Sequence, residues 1–505
     1  MIAARARSRM ACHDRGVRRP DPVLTAPVLA EMVEVLGPDR VLTAPDGTAP
    51  FCVDWSGRFL GATPAVVCPG TVEQVAAVVA VCRHHHLALT LQGGNTGLVG
   101  GSVPLAGEVV LSLRGLDQVG PVADGPGQVT VGAGVTLAAV HGAATTAGWA
   151  YGVDFASRDR ATIGGTIATN AGGLRVLRHG DTRAQVLGTE AVLGDGSVVS
   201  HLDGLVKDNT GYHLPSLLCG SEGTLGIVTA ARLRLVPADV ERTTALLAFD
   251  AVEPALVAAS VLRRHVRTLD AAELMLAAGV DLVCRVTHRP PPTGAPHAAY
   301  LLVEAAGQAS PAAELAAGIG ALAGVAEVVV AGDPVSGAAL WRYREDHSAA
   351  INSLGPPHKL DVSLPADRLA VFVQEVPSVV AGVDTGARTW MWGHAADGNI
   401  HVNVTGLDAG DDRVDDAVLR FVARLGGSIS AEHGIGTAKR AWLHLNRSPS
   451  EIDAFRALKR ALDPDGILNP AVLLPPAATT SPTAEPQSTR SREFPDRRPP
   501  GRRAR

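Results

Sequence analysis

Gln92-Gly93-Gly94-Asn95-Thr96-Gly97-Leu98-Val99-Gly100-Gly101 follows directly on the apolar run Leu87–Leu91. The run reads as a strand and the stretch after it as a loop. Glycine has no Cβ, so its backbone can turn with positive φ and come close to a ligand. Successive amides in such a turn form a concave anion site suited to a pyrophosphate. A single loop of this kind is also what an ordinary tight turn looks like. A second one, Ala161-Thr162-Ile163-Gly164-Gly165-Thr166-Ile167-Ala168-Thr169-Asn170-Ala171-Gly172-Gly173, lies in the same half of the chain. Two long loops in one domain, each interleaved with Asn and Thr, point to a nucleotide cofactor. A Rossmann site does not fit. Gly132-Ala133-Gly134 follows a strand at Val129–Val131, but Leu137 stands where the third glycine belongs.

Outward from these loops, Pro64–Pro237 alternates short β-rich runs with small-residue helical runs. Ala65–Cys68, Leu87–Leu91, Val109–Leu113, Val129–Val131 and Glu190–Leu193 read as strands. Thr71–His85 reads as a helix, from the spacing of Val72, Val75, Val79 and Cys82. Beyond Pro237, long Ala/Leu/Val helices (Glu253–Val266, Pro311–Ala323) alternate with strands at Ala299–Glu304 and Ala326–Val330. Leu443–Leu474 reads as helical and then extended. The expected organisation is a disordered leader at 1–21, a cofactor domain at 22–240 and a second α+β domain at 241–437. A segment at 438–475 returns to the first domain, and a Pro/Ser/Thr/Arg-rich disordered tail follows at 476–505.

The 505 residues are 46% hydrophobic, enough for two or three domains. A net charge of −5 gives no global reason to bind nucleic acid or an anionic membrane. Six scattered cysteines with no C-x-x-C pair fit a reduced, cytoplasmic protein. The arginine-rich N-terminus lacks the apolar core of a signal peptide. No uninterrupted run of apolar residues is long enough for a transmembrane helix.

Several motifs together resemble the vanillyl-alcohol oxidase family of flavoproteins. They are Pro69-x4-Gln74-Val75, Gly93–Gly101, Thr162-Ile163-Gly164-Gly165 with Asn170-Ala171-Gly172-Gly173, and Gly220-Ser221-Glu222-Gly223-Thr224-Leu225-Gly226-Ile227-Val228-Thr229. The likeness runs in order from about Asp54 to Leu473. It is to the branch that holds D-lactate, glycolate and D-2-hydroxyglutarate dehydrogenases. The resemblance implies an α+β protein: a p-cresol methylhydroxylase (PCMH)-type FAD-binding domain of two α/β subdomains, then an α+β substrate or cap domain. It implies FAD contacts from Gly93, Gly94, Asn95, Thr96, Gly97, Leu98, Thr162, Gly164, Gly165, Thr166, Ala168, Asn170, Gly172, Glu222, Gly226, Ile227 and Asn469. His179 stands where this branch often has tyrosine and not where the family forms a histidyl–flavin bond, so the FAD is expected to be non-covalent. The C-terminal Leu468-Asn469-Pro470-Ala471-Val472 lacks the Gly-Lys of the family's Asn-Pro-Gly-Lys ending.

The second half carries Gly393-His394-Ala395-Ala396-Asp397-Gly398-Asn399-Ile400-His401-Val402-Asn403, then Glu432-His433-Gly434-Ile435-Gly436. Asp-Gly-Asn suggests a turn. A strand after it puts His401 and Asn403 on one face and can bring His394 back beside His401. Two imidazoles and a carboxylate are a common ligand set for a divalent metal. Either histidine alone is as readily a hydrogen-bonded loop residue. The combined motif is similar to the metal signature of the D-2-hydroxyglutarate dehydrogenase branch. That resemblance implies His394, His401 and Glu432 as ligands, Asn403 close by, and His433 as general base; the ligand types themselves point to zinc as the ion. Trp341-Arg342-Tyr343-Arg344-Glu345 and Lys359-Leu360-Asp361-Val362-Ser363-Leu364-Pro365 resemble that branch's substrate elements. They imply that Arg344, Ser348 and Lys359 hold the carboxylates of a D-2-hydroxy acid, D-2-hydroxyglutarate first. D-lactate or glycolate as substrate, a metal-dependent hydrolase, and a non-catalytic FAD-binding subunit remain as alternatives. The electron acceptor is open among an electron-transfer flavoprotein, a quinone and a cytochrome. So is the oligomeric state, a homodimer included.

Overall fold

The computed structural model describes residues 24–476 apart from positions 124, 309 and 409. The expected leader lies outside the described residues, as does the expected tail beyond Pro476. The first half holds two four-stranded sheets. One has the order Val41–Leu42, Val66–Val67, Val109–Ser112, Leu89–Gln92, parallel except at its first pair. The other is antiparallel, in the order Gln128–Gly132, Ile227–Arg234, Val186–Val192, Val198–His201. The helix read at Thr71–His85 spans Val72–His84. Thr71 caps it by accepting from the Gln74 N–H. Val75, Val78, Val79 and Cys82 bury its inner face. The two sheets share one apolar core.

The second half is built on a seven-stranded antiparallel sheet. Its order is Glu327–Val330, Glu241–Phe249, Ala299–Gly307, Leu269–Leu276, Arg388–His394, Asn399–Thr405, His358–Ser363. Side chains alternate along a strand, so each strand offers one set to each face. Leu247, Leu274, Leu301, Met391, Ile400, Val402, Leu360 and Val362 form one face and pack on helices Val252–His265, Leu369–Val383 and Arg413–Arg424. Phe372 and Phe421 stack between those helices with ring centroids 5.8 Å apart. The opposite face carries the polar residues described below.

The chain meets the first domain close to the expected position 438, where the N–H groups of Thr437 and Ala438 donate to the Val99 carbonyl at 3.0 and 3.1 Å. Trp442 belongs to the second-domain core, and its indole N–H donates to Asp416 at 2.8 Å. After helix Pro449–Leu462 the chain enters the first-domain core, where Leu468 bridges Leu89 in parallel. Asn469 fixes this join. Its Oδ1 accepts from the Leu91 N–H at 2.8 Å, and its amide donates to the Glu222 carbonyl at 2.8 Å. Asn469→Leu leaves both backbone groups buried without a partner, at about 1–3 kcal/mol each. The expected loss of unfolding free energy is about 2–5 kcal/mol by urea titration; a loss within experimental error would show that the join does not depend on this side chain.

Candidate active site

The polar face of the seven-stranded sheet brings distant residues into register. His394 pairs with Asn399, and Trp392 with His401, in the Arg388–Thr405 hairpin. On one side of the hairpin Glu273 pairs with His394. On the other side Asp361 pairs with His401, and Lys359 with Asn403. Cross-strand partners share a face, so these residues stand together. The loop after helix Arg413–Arg424 then lays Glu432 and His433 over them.

Glu432 Oε1 is 3.7 Å from Nε2 of His394 and 3.7 Å from Nε2 of His401. Its Oε2 accepts from the Gly173 N–H at 2.9 Å, a bond between the two halves of the molecule. His394 Nδ1 lies 2.6 Å from Glu273 Oε1. Arg344 Nε donates to Glu273 Oε2 at 2.6 Å, and its guanidinium carbon stands 6.0 Å from the centre of the Trp392 ring. His401 Nδ1 lies 3.1 Å from Asp361 Oδ1, which accepts from the Asn399 amide at 2.8 Å. Asp361 Oδ2 accepts from the backbone N–H of Glu432 at 2.7 Å and of His433 at 2.9 Å. The His433 ring stacks on His401, centroids 5.6 Å apart, and its buried Nδ1 faces Asp361 Oδ2 at 3.9 Å.

The charges follow from these contacts. Burial alone would neutralise Glu273, but His394 and Arg344 hold it well below the usual carboxylate range. Burial likewise opposes charge on Glu432 and Asp361, yet the histidines around each keep it ionised, with Lys439 also acting on Asp361. Burial also disfavours a charged His394, but Glu273 and Glu432 on either side raise it well above an ordinary histidine. A proton on His394 therefore sits where two carboxylates favour a cation. Burial pushes His433 below the ordinary value, with Asp361 and Glu432 opposing. The Lys439 ammonium, fully enclosed, donates to the carbonyls of Ile429 at 2.9 Å and Asp361 at 3.2 Å.

Beside this centre runs a cleft of about 250 Å³ whose wall includes Glu432 and His433. It is lined by Gly93, Gly94, Asn95, Thr96, Gly97 and Leu98 of the first loop, and by Thr162, Gly164, Gly165, Thr166, Ala168 and Gly172 of the second. Glu222, Gly226, Ile227 and Asn469 complete this part of the lining. The second loop is largely a helix, Ile163–Thr169, capped by the Thr162 hydroxyl. A Cβ on Gly93 would strike the Thr162 side chain, and one on Gly94 the Arg160 carbonyl. These two glycines therefore let one loop rest on the other, and that packing makes the cleft floor.

The structure places three further expected site residues as follows. Asn170 does not line this cleft: it ends the helix in the left-handed conformation, its amide donates to Asp181 at 2.7 Å, and its carbonyl accepts from the Arg183 N–H. The Glu222 carboxylate is occupied by the N–H groups of Ile435 and Gly436, at 2.8 and 2.7 Å, so it anchors the 434–436 turn. Ser348 is exposed at the start of helix His347–Asn352; like Arg344, Lys359 and Asn403 it stands outside the lining of this cleft. Neither Glu273 nor Asp361 was assigned a role from sequence. A carboxylate inside a strand as apolar as Leu269–Leu276 was the available signal, because a buried charge needs partners.

Comparison with known proteins accounts for this architecture. Residues 63–201 match the family model described as FAD binding domain, and residues 239–473 match that of the FAD linked oxidases, C-terminal domain. A D-2-hydroxyglutarate dehydrogenase of Xanthomonas citri pv. viticola is 36% identical over 463 residues, covering 89% of this chain and 97% of that protein. The chain belongs to the FAD-linked D-2-hydroxy acid dehydrogenases, in the D-2-hydroxyglutarate dehydrogenase-like branch. The mitochondrial D-2-hydroxyglutarate dehydrogenase of Bos taurus is 35% identical to this family member, covering 91% of the chain and 85% of the relative. A Saccharomyces cerevisiae protein named D-2-hydroxyglutarate–pyruvate transhydrogenase is 33% identical, over 89% and 94%. Among solved structures, p-cresol methylhydroxylase with substrate bound shares the fold at a TM-score of 0.73 and 19% identity, covering 88% of this chain and 96% of that one. These matches make the dehydrogenase an FAD-linked oxidoreductase and give the hydrolase alternative no support. Among the described residues, no helix is long and apolar enough to cross a membrane.

Proposed function

We propose that this dehydrogenase oxidises D-2-hydroxyglutarate to the 2-oxo acid, with a divalent metal ion, zinc by its ligand chemistry, held by His394, His401 and Glu432. The observation that carries this reading is the equal 3.7 Å reach from Glu432 Oε1 to both imidazole Nε2 atoms, at the wall of the glycine-lined cleft. Donor atoms around one zinc ion lie about 3.0–3.5 Å apart, given bonds of about 2.0–2.2 Å. Both contacts of Glu432 Oε1 are within a few tenths of an ångström of that spacing, which supports a shared ion between the carboxylate and each imidazole.

When bound, the metal supplies Lewis-acid polarisation of the substrate hydroxyl, and non-covalent FAD supplies the hydride acceptor. The protein's own groups do the rest. His433 is neutral near pH 7 because burial disfavours its charged form. Its Nδ1 is enclosed against Asp361, which leaves Nε2 to take the hydroxyl proton. The Arg344 guanidinium, held through Nε by Glu273, keeps its two terminal nitrogens for a carboxylate. Lys359 supplies a second cation, with Asn403 directly across the strand pair. Fixing both carboxylates orients the Cα–H for transfer. Ser348 has no place in this set. We keep the cytoplasmic reading as part of the proposal; the five described cysteines are all unpaired. An electron-transfer flavoprotein, a quinone or a cytochrome would receive the electrons.

A substrate panel tests the choice of acid. D-2-hydroxyglutarate should exceed D-lactate and glycolate in kcat/KM by at least about tenfold, the worth of one well-placed ionic contact; parity would remove the two-carboxylate clamp and favour the smaller acids. The clamp also has a pH signature. Burial lowers Lys359 to about 8, with Asp54 opposing. Its charge is present below that value and lost above it. For the diacid, kcat/KM, which reports the free enzyme, should therefore fall as pH rises through about 8. A flat profile there would exclude Lys359 from binding.

A further inference from the structure

We infer that Glu273 and Asp361 are positioning residues of the metal centre and that neither is a ligand. The inference rests on the metal reading above and goes beyond it. Asp361, His401, Glu432 and His433 all present donor atoms within 4.8 Å of one another. Distance alone would therefore allow a different ligand set in which Asp361 replaces His394. The hydrogen bonds decide against it.

The Asp361 carboxylate already accepts three hydrogen bonds and faces an imidazole with its remaining position. Oδ1 takes the Asn399 amide and faces His401 Nδ1 at 3.1 Å, and Oδ2 takes the backbone N–H groups of Glu432 and His433. A carboxylate has about four lone-pair positions; three hold these hydrogen bonds and the fourth is covered by His401 Nδ1, which leaves no open position for a cation. One buried side chain thereby orients an imidazole ligand, the backbone of the carboxylate ligand and the backbone of the base. Glu273 does the equivalent for His394, and its second oxygen fixes Arg344. In both histidines Nδ1 faces a carboxylate, so Nε2 is the nitrogen turned toward Glu432. Carboxylates that hold a ligating histidine in this way typically contribute about 10–100-fold to metal affinity.

Asparagine at 361 keeps the size of the side chain but puts an NH₂ against two of these four groups. Glutamine at 273 likewise turns one acceptor into a donor. The test is cobalt(II) binding to the FAD-loaded protein, with affinity from chelator competition and coordination from the EPR spectrum at saturation. Oxidised flavin is silent in that spectrum, and the flavin absorbance confirms folding. Asp361→Asn and Glu273→Gln should each weaken cobalt binding about 10–100-fold, and both should show the wild-type spectrum once saturated. Unweakened binding in both variants would overturn the inference. So would a changed saturated spectrum in Asp361→Asn, which would make Asp361 a ligand. Should Asp361→Asn lose its flavin, Asn399→Ala, which removes one prop from the same carboxylate, decides through the same two readings. Wild-type protein that takes up no cobalt would overturn the metal reading and this inference together, whereas wild-type uptake with unweakened variants overturns the inference alone.

Discussion

Glu432→Gln should lower kcat with D-2-hydroxyglutarate by about a thousandfold while leaving the flavin bound. The reasoning starts from charge. Glu432 stays ionised in a buried place because His394 and His401 face one of its oxygens. Glutamine has nearly the same shape and can still accept from the Gly173 N–H, so the join between the two halves survives. What it removes is the anionic donor that completes the metal site. Losing Lewis-acid stabilisation of a developing alkoxide is worth several kcal/mol, and about 4 kcal/mol corresponds to that thousandfold. Metal analysis of the purified variant should show depletion, and its visible spectrum should keep the flavin bands. Full metal content with full turnover would remove Glu432 from the ligand set.

His433→Asn should cost about 10²–10⁴-fold in kcat, the usual range for a positioned general base, with metal and flavin both retained. The separation from Glu432→Gln is what makes the pair informative. His433 is adjacent to Glu432 in sequence but does a different task, because the Asp361 carboxylate grips both backbone amides and the turn at Gly434 leads the chain away. Gly434 has a φ of 84°, and a Cβ there would press on the Glu222 carboxylate at 3.0 Å. Burial holds His433 below the ordinary histidine value, so in wild-type enzyme the basic form persists as pH falls to 6.5 and is lost only below that. The acid limb of the kcat/KM profile should lie lower than an ordinary histidine would give, and His433→Asn should abolish it. A variant with wild-type kcat and an unchanged acid limb would assign the base elsewhere.

How much of this was legible in the sequence depends on the range of each interaction. Helix Val72–His84 is written in local spacing and a Thr71 cap, and both survive in the fold. The hairpin that brings His394 to His401 is also local. Asp397-Gly398-Asn399 makes the turn, with Gly398 at a φ of 83°, and the two rings end 5.3 Å apart. Glu273 was not legible, because its strand reaches the hairpin only through the order of a seven-stranded sheet, 121 residues away in sequence. Asp361 stood inside a quoted motif, yet its role appears only once strand 358–363 is paired with 399–405. The side chains of Asn170 and Glu222 show a second limit. A polar residue in a glycine-rich segment suggests a ligand, but Asn170 bonds Asp181 and Arg183, and Glu222 bonds the 434–436 turn. In both cases the backbone and its neighbours claimed the side chain first.

Anaerobic reduction of the flavin, with and without metal, reaches the centre of this account in one experiment. The protein as purified should be yellow, and D-2-hydroxyglutarate should bleach it near 450 nm, a band typical of oxidised flavin. Prior chelation should slow the bleaching, and added zinc should restore it. Yellow protein that keeps its colour with every D-2-hydroxy acid offered, or that bleaches equally fast after chelation, would contradict the pairing of glycine-lined cleft and histidine–carboxylate centre.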